Sequence, residues 1–174
     1  SEFSDYGPNG LQVEGKDKIK KVALSVSATK ESVEKAVEWG ADALLVHHGI
    51  FWKHQGARTI TRQQYGRVAP LIKNDINLIA YHLPLDAHLE SGNAAQLAKL
   101  LNITNLQEFG EFKRMPLGVQ GVLANSTKVS EFEKTITEKI GGPIRVASPD
   151  KTQEVQSIGI ITGGANNEWS QAYD

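Results

Sequence analysis

A chain of 174 residues, 40% of them apolar, is long enough for one sizeable core or two small ones and has the make-up of a globular protein. Its 19 lysines and arginines nearly cancel 20 aspartates and glutamates, and the formal charge of −1 excludes a global field that would draw nucleic acid or an anionic membrane. With no cysteine there is no disulfide, thiolate metal site or catalytic thiol, a composition that fits a reducing cytosol.

No segment approaches ~18 uncharged apolar residues, and the beginning lacks the basic-then-apolar order of a signal peptide, so the protein reads as cytoplasmic with no membrane partner. Ser1-Glu2-Phe3 fits a cloning remnant as well as native sequence. Gly7-Pro8 and Asn9-Gly10 are turn signals ahead of a short strand in which Leu11 and Val13 alternate with Gln12 and Glu14. Val22, Leu24 and Val26 have the period of a second strand over 21–27. A helix follows, capped by Thr29, with Val33, Ala36 and Val37 at helical spacing and Gly40 as its stop. The apolar run Ala43-Leu44-Leu45-Val46 is a buried strand that ends in His47-His48-Gly49, completing a β-α-β unit. Between Gly49 and Gln64 lies a long polar loop, in which Lys53, Arg58 and Arg62 are candidates to meet a phosphorylated ligand and Trp52 is a packing anchor.

Val68, Leu71 and Ile72 predict a helix to about Asn74, starting near Ala69 or kinked at Pro70. Residues 76–81 form the next strand, which leads into His82, Pro84, Asp86 and His88. The run from Gly92 to Leu101 is a helix with residues 94, 97, 98 and 101 on one apolar face. Residues 104–116, closing on Met115-Pro116, read as an irregular linker between a first half, 1–103, and a second, 117–174. In that second half strands are expected over 117–124, 144–147 and 155–162, with a helix opened by a capping box, Ser130-Glu131-Phe132-Glu133, and closed at Gly141-Gly142. Gly163-Gly164-Ala165-Asn166-Asn167 resembles a phosphate-cradling turn but lacks both the G-x-G-x-x-G order and the P-loop lysine. The end, Gln171-Ala172-Tyr173-Asp174, carries no stop signal and reads as a truncation. The expected class is α/β: a layered sandwich of mixed, mainly parallel sheet with flanking helices.

Two imidazoles at the carboxyl edge of a sheet, with no thiolate available, point first to a metal. Adjacent strand residues face opposite ways, so His47 and His48 are expected to reach two different ions rather than one, with Asp86 an oxygen ligand to one of them. His82 is the candidate for proton transfer or for a contact behind the ligands.

His47-His48-Gly49 with Phe51-Trp52-Lys53, the run Asn74-Asp75-Ile76-Asn77-Leu78, Tyr81-His82-Leu83-Pro84-Leu85-Asp86-Ala87-His88 and the opening residues 4–15 together resemble the dinuclear-metal family called GTP cyclohydrolase I type 2, or Ngg-interacting-factor-three-like. The resemblance implies that His47 binds one metal, His48 the other, and that Asp86 joins His47. It implies that the opening segment lies near the metal pocket, which makes Asn9, Gln12 and Glu14 candidates to touch substrate. It implies two divalent ions (Zn, Mn, Fe or Ni), a cyclohydrolase-like hydrolysis of a nucleotide or other phosphorylated small molecule, and a ring-like homo-oligomer, a hexamer. The family's remaining ligands, a His-x-x-x-Glu pair, do not occur before Asp174, which predicts weak metal binding by this chain. The competing class is a non-catalytic metal-responsive adaptor or a metal buffer.

Overall fold

Alternation over Val22–Ser27 and the apolar run over Ala43–His48 form two adjacent parallel strands in the computed structural model, which describes residues 4–112, 115–164 and 170. The chain divides into two units, 1–85 and 86–174.

In the first unit the strands are β1 (Gly10–Val13), β2 (Val22–Ser27), β3 (Ala43–His48) and β4 (Asn77–Ala80), arranged in the order β1-β4-β3-β2. β2, β3 and β4 run parallel and β1 is antiparallel to β4. Register pairs Leu44 with Leu78 and Val46 with Ala80. These side chains form one core with Val33 and Ala36 of α1 (Lys30–Glu38) and Val68 and Leu71 of α2 (Arg62–Lys73). Burial of such aliphatic side chains contributes about 1.5–3 kcal/mol each, which makes this core the main restraint on strand height. Thr29 caps α1 as expected, its Oγ1 accepting from Ser32 N at 3.1 Å, and Gly40 leaves the helix with φ +67°, a left-handed turn that glycine adopts without strain.

α2 begins at Arg62, well before the expected start near Ala69, and carries Pro70 in its last turn. There the missing N–H costs only the bond to the carbonyl four residues back, which belongs to Gly66. The polar loop is therefore shorter than the sequence suggests, and it holds a single 3-10 turn at Lys53–Gln55. A short helix α3 (Leu83–Asp86) follows β4.

The second unit holds α4 (Asn93–Leu100), β5 (Thr104–Phe112), β6 (Met115–Lys128), α5 (Val129–Ile140) and β7 (Glu154–Ile160). Its sheet, in the order β5-β6-β7, is antiparallel throughout, so the mainly parallel arrangement holds for the first sheet only. Ala94, Ala95 and Ala98 of α4 pack with Ile103, Val119 and Ile160.

Three expectations fail here. Residues 104–112 are a strand and not an irregular linker, and Pro116 lies in β6 before β7 joins at Val119, where an absent N–H disturbs one ladder at most. Residues 144–147 form no strand. Ser130 is not a cap either: α5 starts two residues earlier than a Ser130 cap would place it, behind Lys128, and the N–H groups of Val129 and Ser130 donate to the carbonyls of Gln153 and Lys151 at 2.9 and 3.0 Å. Backbone acceptors from a distant segment thus replace the hydroxyl that a capping box would use. The end of α5 at Gly141, φ +76°, is as expected. Ala165-Asn166-Asn167, Ser1-Glu2-Phe3 and 171–174 lie outside the described residues. Among the described residues no helix is long and apolar enough to cross a membrane.

Candidate metal centre

β3 and β4 are parallel neighbours, so the residues beyond the last apolar position of each arrive at the same carboxyl edge of the first sheet. β3 delivers His47 and His48, and the turn after β4 delivers Tyr81 and His82. The ladder between these strands ends at Val46 and Ala80, whereas β2 continues to pair with β3 as far as Ser27 and His48. Held from one side only, the strand end departs from strict alternation: the rings of His47 and His48 lie with centroids 4.4 Å apart. This corrects the expectation that they point to opposite faces. His82 joins them, its ring 5.0 Å from His47 and 5.6 Å from His48. One ring nitrogen from each of the three lies within 4.8 Å of the others, all three side chains being half-buried.

Each ring is also oriented through Nδ1. His47 Nδ1 lies 3.0 Å from the Tyr81 carbonyl, which can only accept, so this nitrogen carries the proton and Nε2 the lone pair of the neutral ring. His48 Nδ1 meets Ser27 Oγ at 3.0 Å. His82 Nδ1 meets the carboxylate of Asp5, Oδ1, at 2.7 Å. Three imidazoles gathered this closely, each with Nδ1 at a hydrogen-bond partner, fit the donor set of a nitrogen-ligated divalent ion.

The supports come from the chain's opening residues. Asp5 is 4% exposed and its carboxylate accepts four bonds: Tyr6 N and His82 Nδ1 on Oδ1, Asn9 Nδ2 and Leu83 N on Oδ2, at 2.6–2.9 Å. Burial pushes the Asp5 carboxyl upward, but the bonds from His82, Asn9 and Leu83 outweigh it and hold the group below the usual carboxylate value. Asn9 Oδ1 accepts from His82 N at 2.8 Å, and Gln12 Oε1 accepts from Ile50 N at 2.9 Å, so β1 and the turn before it grip both histidine-bearing segments. Gly49 leaves room for the Gln12 carboxamide, which a Cβ at this position would push aside. Trp52 packs edge-on against His82 with centroids 5.0 Å apart and donates Nε1–H to the Gly49 carbonyl at 3.2 Å, the anchor role expected of it.

Each remaining candidate has surroundings of its own. Asp86 closes α3, falls in the second unit, and accepts from Asn93 Nδ2 at 2.6 Å. His88 Nδ1 faces Glu90 N and Ser91 N at 3.2 and 3.1 Å and stabilises a turn. Lys53 spends its ammonium on the Asp5 carbonyl, 2.7 Å away, while Arg58 and Arg62 are exposed.

Comparison with known proteins agrees with this architecture. All of residues 1–174 match the family described as Duf34/NIF3 (NGG1p interacting factor 3). The chain belongs to the Duf34/NIF3 family. Relatives named GTP cyclohydrolase 1 type 2 homolog include those of Deinococcus radiodurans, 38% identical over 98% of this chain, and Haemophilus influenzae, 43% identical over 93%. The chain spans 64% of the length of each. A solved structure described as protein ybgI, of unknown function, superposes with a TM-score of 0.83 at 40% identity, covering 98% of this chain and 66% of that one. TTHA1606 from Thermus thermophilus superposes with a TM-score of 0.77 at 30% identity, over 96% of this chain and 65% of that one.

In this Duf34/NIF3 chain the residue that sequence reasoning passes over is Asp5. It lies 77 positions from His82, in a segment whose Gly7-Pro8 and Asn9-Gly10 announce a turn, and it is brought to that ring where the chain leads into β1, the partner of β4. His82, the sequence candidate for proton transfer or for a contact behind the ligands, has its ring in one cluster with His47 and His48.

Proposed function

We propose that this chain forms the metal-binding part of a metal-dependent hydrolase with GTP cyclohydrolase-like activity, acting on a nucleotide or another phosphorylated small molecule. The observation that supports it most is the convergence of three half-buried imidazoles, two of them oriented through Nδ1 by groups that can only accept. The name carried by relatives at about 40% identity supplies the reaction class. His47 and His48 are proposed as nitrogen ligands to two divalent ions, of the Zn, Mn, Fe or Ni kind that histidine and carboxylate accept. Asp86, four residues after His82 in the motif, is the proposed oxygen ligand. A divalent ion so held supplies Lewis-acid polarisation of a carbonyl or phosphoryl oxygen. His82, whose Nδ1 meets Asp5, is proposed to accept a proton or to add a third nitrogen through Nε2.

The protein is further proposed to work as a homo-oligomer. Leu24 and Val26 on β2, the edge strand of its sheet, are 76% and 70% exposed, as apolar residues at a subunit contact would be in an isolated protomer. Sedimentation of the chain, with Leu24→Lys as control, tests this.

Titration of Zn²⁺ and Mn²⁺ into the chain, followed by a GTP turnover assay, tests the main reading. His47→Ala and His48→Ala are expected each to weaken metal binding at least about tenfold, in line with the loss of one ligand, and to abolish turnover. Unchanged affinity in both variants would sink the metal reading, and turnover that survives in both would sink the hydrolase.

A further inference from the structure

We propose that Asp5 is a positioning residue that holds His82 in a single tautomer, with the proton on Nδ1 and the lone pair of Nε2 turned to the His47–His48 cluster. Three observations carry this. The Asp5 side chain is 2% exposed, its partner His82 19%, so the bond between them at 2.7 Å is sheltered from competing water. The other three groups that meet the Asp5 carboxylate, Tyr6 N, Asn9 Nδ2 and Leu83 N, are all donors, which favours the ionised, acceptor-only form opposite His82 Nδ1. The backbone beside His82 is fixed by its own N–H to Asn9 Oδ1 and by the Leu83 N–H to Asp5 Oδ2, and Trp52 packs against the ring, so the contact at Nδ1 is where Asp5 sets the proton's position. An imidazole whose outer nitrogen donates to a carboxylate is oriented and made more basic at the inner one.

Substitution should act on the ring and not merely on the fold. An asparagine at position 5 offers one oxygen and one NH₂ to four donors, so two of them must face a donor. An alanine leaves Nδ1 no acceptor at all. The tautomer can be read in the metal-free protein from ¹⁵N–¹H correlations of the imidazole rings at alkaline pH. The expected spectrum of the unsubstituted chain has His82 protonated at Nδ1 only, and in Asp5→Asn and Asp5→Ala the Nε2-protonated form appears. A second arm uses Zn²⁺ alone: Asp5→Asn should weaken binding about 10–100-fold, as outer-shell partners of ligating histidines do. Adding Asp5→Asn to His82→Ala should then cost nothing further, because Asp5 acts through that ring.

An unsubstituted chain whose His82 is protonated at Nε2 overturns the proposal, as does a purely Nδ1-protonated ring in both folded variants, or full additivity in the double variant. If Asp5→Asn and Asp5→Ala fail to fold, the spectrum of the unsubstituted chain decides. The metal arm rests on the function proposed above, whereas the tautomer arm does not. A chain that binds no Zn²⁺ therefore removes the former reading and leaves this one to the ring spectra.

Discussion

At the scale of single residues, the candidate centre depends on contacts that look incidental in the sequence. Gly49 is the clearest of them. A methyl group there would displace the Gln12 carboxamide, which accepts from Ile50 N and donates from Nε2 to the Pro8 carbonyl at 2.7 Å. Gly49→Ala is therefore expected to lower stability by about 1–3 kcal/mol through loss of those bonds. In a double-mutant cycle with Gln12→Ala the two losses should fall well short of additive, since the truncated side chain leaves room for the methyl. Chemical denaturation of the four proteins measures it, and strict additivity would show that Gln12 is not what Gly49 accommodates. Gln12 and Asn9, candidates to touch substrate, have hydrogen-bonding work within the scaffold.

At the scale of elements, two helices with similar opening signals behave differently. Thr29 accepts a backbone N–H and caps α1, so Thr29→Ala should cost about 1 kcal/mol. Ser130 lies inside α5, whose first donors are met by the carbonyls of Gln153 and Lys151, so Ser130→Ala should change stability by less than about 0.5 kcal/mol. Thermal or urea unfolding of the two variants side by side checks the contrast. The same pair shows what was legible. α1, β2 and β3 follow from local pattern, because their periodicity, cap and stop all lie within a few residues of one another. The start of α5 and the whole of β5 do not, because each is set by a partner elsewhere in the chain. β5 carries Asn105, Gln107, Glu108, Gly110 and Glu111 along an edge strand, a composition that imitates a loop until β6 pairs with it. For the candidate centre, the apolar run ahead of His47 and His48 marks the strand that delivers them. Nothing local linked Asp5 to His82, and simple alternation misjudged how the two adjacent rings turn at a strand end.

At the scale of the molecule, the edge of the first sheet away from the histidines is tied by one carboxylate. Asp42 Oδ2 accepts from Lys20 N and Lys21 N at 2.8 and 2.9 Å, Oδ1 pairs with Lys16 Nζ at 2.8 Å, and its carbonyl accepts from Asn77 N, so it joins the approaches to β2, β3 and β4. The bond from Lys16, followed by those from the two backbone N–H groups, brings the Asp42 carboxyl from 3.8 down to about 2. A carboxyl depressed in the folded state stabilises the fold above its ordinary value, and that contribution is lost as pH falls from 3.8 towards about 2. Urea midpoints followed down through that window should decline more steeply in the parent chain than in Asp42→Asn, and parallel curves would contradict the assignment. At the opposite edge the dependence runs through residues 5–12, which must return to β4 across a loop of more than sixty residues before the imidazoles are held. Closing so long a loop is slow compared with forming the neighbouring β-α-β unit. The cluster of His47, His48 and His82 therefore depends on an arm outside the β-α-β unit, and a protease that clips this arm is expected to leave His82 without the groups that hold it.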